Sequence, residues 1–354
     1  MVQTMNELLQ EAALRKASDL HITVGLPPVV RIDGRLMPLE KPVLSAAATE
    51  QYLAAVAGKA QQAAFQQAGE TDFSYAIAGC GRFRVNAFRQ RGTVAMVVRL
   101  VPEEVPDLNK LSFPESVRNL ARKTRGLILV TGPTGCGKST TLAAMIDLIN
   151  RERSSHILTL EDPIEYVHTH KQSIVNQREI HADTGSFASA LRAALREDPD
   201  VILVGELRDA ETIGTAITAA ETGHLVLATL HTGDAAQTID RIIDVFPPFQ
   251  QPQIRLQLSL TLQGVIAQQL VSRAIGTGRV AVQEILLATP AVCNLIREGK
   301  THQLPSVLQT GAKQGMQAMD MGLRDLYIRQ EITYEEALDR ASDPAVFARL
   351  AGRI

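Results

Sequence analysis

Residues Gly132-Pro133-Thr134-Gly135-Cys136-Gly137-Lys138-Ser139 satisfy the pattern G-x-x-x-x-G-K-[ST] in full. The pattern binds phosphate only between a buried strand and the start of a helix, so it dictates a strand, a tight loop and a helix in that order. Both flanks comply. Leu127-Ile128-Leu129-Val130 reads as a buried strand, and Leu142, Met145, Ile146 and Ile149 recur at helical spacing. In such a loop glycines let backbone N–H groups approach phosphates, and the helix N-terminus adds its partial positive charge. The alternative, a glycine-rich turn with a chance lysine, does not account for both flanks.

The expected nucleotide-binding set is therefore Gly132, Pro133, Thr134, Gly135, Cys136, Gly137, Lys138, Ser139 and Thr140. Lys138 would reach the β- and γ-phosphates of ATP, and the Ser139 hydroxyl would ligate Mg2+. Cys136 needs only its backbone N–H for this task and so reads as a tolerated small residue, or else the helix N-terminus lowers its thiol pKa and makes it alkylation-sensitive.

Around the loop, apolar runs alternate with helical segments: strands at 127–130, 156–160, 201–204 and 225–229, a helix at 138–150, and a hairpin-like 279–288. This is an α/β pattern, and such sheets bind ligands at the carboxyl ends of their strands. The first 100 residues differ. A short helix with Met5, Leu8, Leu9, Ala12 and Ala13 on one face precedes a hairpin turning at Asp33-Gly34, an Ala- and Gln-rich helical stretch at 46–68, and strand-like runs at 73–77, 82–87 and 94–98. They predict a small α+β domain with an antiparallel sheet. Residues 101–114, with Pro102, Pro106, Pro114 and Glu103-Glu104, read as a linker to a core at 115–290. A helical region at 291–354 follows, with Thr289 as N-cap, Pro290 at the first helical position, Gly299 as a stop, and Thr333 with Glu336 as a capping box.

A chain of 354 residues with 45% hydrophobic content can bury the cores of about two domains. Net charge is −2, so no global field recommends nucleic acid as a partner. Cys80, Cys136 and Cys293 lie far apart and form neither a disulfide framework nor a zinc module, which suits a reducing cytoplasm. No apolar run reaches the ~18 residues of a membrane span, and Glu7 and Glu11 stand where a signal peptide would be basic and then apolar.

The strand ends supply the candidate chemistry. Glu206 follows the run Val201–Val204, where a carboxylate could deprotonate an attacking water; the alternatives are a solvated loop glutamate or a partner for Arg208. Glu161, Asp162 and Glu165 follow the strand at 156–160 and are candidates to position water or the outer shell of Mg2+, or else are cap and turn residues. His231 follows the strand at 225–229 and could sense a γ-phosphate, or be a satisfied structural histidine. His224 should lie at the far end of that strand. Arg82 and Arg84 share one face of a strand, opposite Phe83, Val85 and Ala87; they form a solvated face, a nucleic-acid groove, or arginines supplied to a neighbour's nucleotide.

Together with the loop, the stretches Ala17-Ser18-Asp19-Leu20-His21, Arg82 to Phe88, Glu161-Asp162-Pro163-Ile164-Glu165, Arg196 to Asp200, Gly205 to Asp209, Thr222-Gly223-His224 and Thr229-Leu230-His231-Thr232 resemble the type IV pilus retraction ATPases, the PilT family of secretion ATPases, over nearly the whole chain. The resemblance implies a PAS-like N-terminal domain at 1–100 joined to a RecA-like P-loop ATPase domain with a helical tail. It also implies a homohexamer at the cytoplasmic face of the inner membrane, working with a membrane platform protein and other pilus ATPases to withdraw pilin. By motif, Lys138 and Ser139 fall in Walker A, Glu206 in Walker B, Glu161, Asp162 and Glu165 in the acidic box, and His224 and His231 in the His box. Arg82 and Arg84 fall where the family has arginines acting across contacts. The chain departs from the family pattern at Cys136, at Asp234, and at Cys293, where arginine is usual. Two further readings stay open on residues alone: a nucleic-acid translocase on the same core, and a nucleotide-switched assembly scaffold.

Overall fold

In the computed structural model the described residues are 4–32, 34–101, 104–111, 113–276 and 278–353. Asp33 of the expected first turn and Pro102 and Glu103 of the expected linker lie outside them. The chain divides into two compact units, Met1–Glu104 with Glu165–Val167, and Val105–Ile164 with His168–Ile354.

The first unit runs α1 (Met5–Leu14), β1 (Asp19–Ile22), β2 (Val29–Ile32), β3 (Arg35–Pro38), α2 (Ala46–Val56), α3 (Lys59–Ala68), β4 (Glu70–Ile77), β5 (Gly81–Gln90) and β6 (Thr93–Val101). Helix α1 starts at a reciprocal cap between Thr4 and Glu7 and buries Met5, Leu8, Leu9 and Ala12. The strands form one antiparallel sheet in the order β3-β2-β1-β6-β5-β4. The alternation in β5 is clean, with Phe83, Val85 and Ala87 buried and Arg84 exposed.

The second unit begins with α4 (Glu115–Ala121), β7 (Gly126–Thr131), α5 (Lys138–Glu152), β8 (His156–Glu161) and β9 (Ile174–Glu179). It continues through α6 (Phe187–Ala194), β10 (Val201–Val204), α7 (Ala210–Glu221), β11 (Leu225–Leu230), α8 (Ala235–Asp244) and α9 (Gln251–Thr261) to β12 (Leu262–Ser272) and β13 (Arg279–Leu287). The sheet order is β13-β12-β7-β11-β10-β8-β9, parallel throughout except for β13 at the edge. Strands β7, β10 and β11 are buried at every position, as a parallel sheet covered on both faces requires. Leu108 and Phe113, from the segment read as linker, join this core.

Two strands escape a reading of the sequence. β12 follows α9 directly, without a glycine or proline between them to mark the change, and β9 is polar enough to pass for loop. The expected hairpin at 279–288 is instead a single strand, β13, paired with the unanticipated β12.

The tail holds α10 (Pro290–Arg297), α11 (Leu304–Thr310), α12 (Met319–Ile328), α13 (Tyr334–Arg340) and α14 (Pro344–Leu350). Thr289 caps α10 as expected. The capping box at Thr333 is only half formed. Glu336 N donates to Thr333 Oγ1, but the Glu336 carboxylate accepts from Ser272 N on β12, 3.1 Å away, rather than turning back on its own helix. No helix among the described residues is long and apolar enough to cross a membrane.

Candidate functional site

Parallel register fixes where the site lies. Thr131 at the end of β7 pairs with Leu230 on β11, and Val204 on β10 pairs with Ala228 on β11 and Leu160 on β8, so four strands end at one edge of the sheet. The loop Gly132–Gly137, Glu206, His231 and Glu161 leave from that edge.

The loop turns sharply through Gly132, Gly135 and Gly137 at φ of +141°, +78° and +91°, values that L side chains rarely adopt. Lys138 opens α5 and folds back: its Nζ donates to Gly132 O at 2.7 Å and to Pro133 O at 3.1 Å. Pro133, Thr134 and Gly135 are exposed, and Ser139 and Thr140 are half-buried in the first turn of the helix.

Beneath the loop lies a residue that sequence reasoning missed. Gln268 on β12 is 2% exposed; its Nε2 donates to Cys136 O at 2.6 Å and its Oε1 accepts from Thr141 Oγ1 at 2.7 Å. The only sequence signal is a glutamine inside an apolar run.

Of the two readings of Cys136, the structure favours the tolerated small residue over the activated thiol. The residue is 3% exposed, and burial pushes its thiol above the ordinary value even though the Lys138 charge opposes this. The helix N-terminus does not compensate for the loss of water around a thiolate.

Glu206 is held on both sides, with Arg208 Nη2 2.7 Å from Oε2 and His231 Nε2 3.4 Å from Oε1. Burial pulls its pKa upward, but the Arg208 and His231 contacts outweigh this, and the carboxyl sits below its ordinary value. The charge of Asp162, which is itself exposed, also acts on Arg208.

The other candidates are placed as follows. Glu161 Oε1 accepts from Thr159 Oγ1 at 2.6 Å and from Gln177 Nε2 on β9 at 3.0 Å. Glu165 is exposed, in the short segment that groups with the first unit. Arg82 and Arg84 lie on β5 of the first unit, where Arg84 Nε is 3.4 Å from Asp72 Oδ1. His224 sits at the opposite end of β11 from the loop, its Nδ1 2.9 Å from Ala219 O. Asp234 is the N-cap of α8, accepting from Gln237 N at 2.8 Å, which gives its charge a local purpose. Cys293 is half-buried on α10, and burial raises its thiol pKa.

Among the described residues, no three His, Cys, Asp or Glu side chains form a self-sufficient metal site. A serine hydroxyl in the first helical turn suits Mg2+ instead, because that ion takes few protein ligands and completes its shell with phosphate oxygens and water.

Residues 1–293 match the family described as Type II/IV secretion system protein. The chain is 50% identical to the type IV pilus retraction ATPase PilT of Pseudomonas aeruginosa over 97% of its own length and 99% of that protein. It is 52% identical to a twitching motility protein of Neisseria gonorrhoeae, over 94% of this chain and 89% of that one. A solved structure of the pilus retraction motor PilT with bound ADP superposes with a TM-score of 0.92 at 50% identity, over 98% of this chain and 99% of that one. With a complete phosphate loop at the carboxyl edge of a parallel sheet, the chain belongs to the type II/IV secretion system protein family, as a PilT-type ATPase.

Proposed function

We propose that this protein is a pilus retraction motor, a homohexameric ATPase at the cytoplasmic face of the inner membrane that couples Mg·ATP hydrolysis to withdrawal of pilin from a type IV pilus. The observation that carries the reading is the convergence of the Lys138 loop with Glu206 and His231 at one sheet edge. Near-complete alignment at 50% identity with a retraction ATPase supports it.

In this reading Lys138 exchanges its two loop carbonyls for the β- and γ-phosphates, and the Gly132–Thr140 backbone supplies N–H donors. Ser139, with Asp162 in the inner or outer shell, would hold Mg2+, which when bound would neutralise phosphate charge. Glu206 orients and deprotonates the attacking water, and His231, bonded to its other oxygen, registers the γ-phosphate. Glu161, Asp162 and Glu165 order the surrounding water. Arg82 and Arg84 act across a contact between domains or subunits, where a planar guanidinium suits developing phosphoryl charge. The partners are an inner-membrane platform protein, the pilus machinery and other pilus ATPases.

A deletion strain scored for surface pili and twitching tests the reading. Abundant pili without movement are expected, restored by the wild-type gene but not by Lys138→Ala or Glu206→Gln. Loss of pili on deletion would instead mean an assembly motor.

A further inference from the structure

We propose that Gln268 is a positioning residue that aims the Gly137 amide at the bound phosphate; the inference rests on the nucleotide-binding reading of the loop. The carbonyl of Cys136 and the N–H of Gly137 belong to one planar trans peptide, so they point in opposite directions. Gln268 Nε2 takes the Cys136 carbonyl at 2.6 Å on the β12 side. The Gly137 N–H is thereby turned away from Gln268, and the exposed Pro133, Thr134 and Gly135 leave the loop open to an anion.

The amide cannot simply flip. Its Oε1 accepts from the hydroxyl of fully buried Thr141, one turn into α5, at 2.7 Å. Reversal would set the amide oxygen against the Cys136 carbonyl, two acceptors face to face, with no donor left for that carbonyl. A single buried side chain thus ties the loop and the first turn of its helix to a neighbouring strand.

The same strand explains two glycines of the motif. A Cβ at Gly132 would lie 2.3 Å from Gln268 O, and one at Gly137 would lie 2.9 Å from Gln268 Nε2. The loop is shaped against Gln268 as much as against its ligand.

Two variants test the assignment, with ADP binding measured by calorimetry and folding by thermal melting. Gln268→Met keeps the length of the side chain and removes both bonds. ADP affinity should fall about ten-fold or more, as expected for loss of one well-aimed bond to a charged group. With ATP, most of the loss should appear in KM rather than in kcat.

Gln268→Glu gives a readout that general weakening would not move. An ionised carboxylate cannot donate to the Cys136 carbonyl, whereas a protonated one donates as the amide does. ADP affinity in this variant should therefore rise as pH falls, relative to both wild type and Gln268→Met. Gln268→Met binding ADP within twofold of wild type overturns the assignment. Should that variant not fold, a Gln268→Glu pH profile parallel to wild type overturns it equally. Failure of the wild-type protein to bind ADP would sink the nucleotide reading itself, an outcome distinct from either.

Discussion

Glu206 Oε2 lies 2.7 Å from Arg208 Nη2, two residues onward at the end of β10, and this contact helps keep the carboxylate ionised despite its burial. A general base must be charged to act, so the pair sets the acid side of the pH range over which the proposed hydrolysis runs. Arg208→Ala leaves burial, which favours the neutral acid, opposed only by His231. The acid limb of kcat/KM for ATP should move to higher pH, modestly, because Arg208 is 72% exposed and screened by water. Glu206→Gln should retain ADP binding and lose roughly 10²- to 10⁴-fold in turnover. An unmoved acid limb in Arg208→Ala would break the link between the pair and the reaction.

Lys138→Ala removes a cation that now donates to Gly132 O and Pro133 O. Pro133 is exposed and can bond to water instead, whereas Gly132 is buried and loses a partner, so the fold should persist with a modest drop in melting temperature. The nucleotide loses a charge-assisted contact worth roughly 1.5–3 kcal/mol, so ADP affinity should fall about ten- to a hundred-fold. Calorimetry beside a melting curve separates the two effects, and equal losses in both would make Lys138 a structural residue.

The loop, the strand before it and the helix after it are legible because one local motif specifies all three, and β5 is legible because Arg84 and Val85 obey the period of two. What stays hidden is non-local. Gln268 bonds to partners 132 and 127 positions away, and it stands on a strand that α9 runs into without punctuation. The same blindness misleads at Cys136. Its neighbours in sequence announce a helix N-terminus, but they say nothing of the surroundings that bury the thiol. At Glu206 the residues left three readings, a base, a solvated loop glutamate or a partner of Arg208; the geometry shows the partner, and in the proposed reaction that contact would keep the carboxylate ionised.

Cys136 should resist alkylation in the native protein. With the residue 3% exposed and its thiol pKa raised by burial, little thiolate is present and a reagent has little access. Mass spectrometry after brief N-ethylmaleimide treatment should find half-buried Cys80 and Cys293 modified first, and Cys136 only after denaturation. Native labelling of Cys136 ahead of Cys80, blocked by ADP, would restore the activated thiol.

Glu284 on β13 is 8% exposed and accepts from Ala235 N, the first residue of α8, at 2.9 Å. Burial is the largest influence on it and raises its pKa above the ordinary 4.5; the bonds from Ala235 and Met319 oppose this, while the charges of Asp234 and Asp320 add to it. A carboxyl whose folded pKa is raised contributes stability that is fully present below the unfolded value and is lost as pH rises through the folded one. Glu284→Gln keeps an acceptor for Ala235 N and does not titrate. From pH 4.5 upward the melting temperature of wild type should therefore drop relative to that of Glu284→Gln, the gap levelling off once the folded carboxyl has ionised. Parallel melting temperatures across that range would mean that the bonds from Ala235 and Met319 fully offset the burial of the charge.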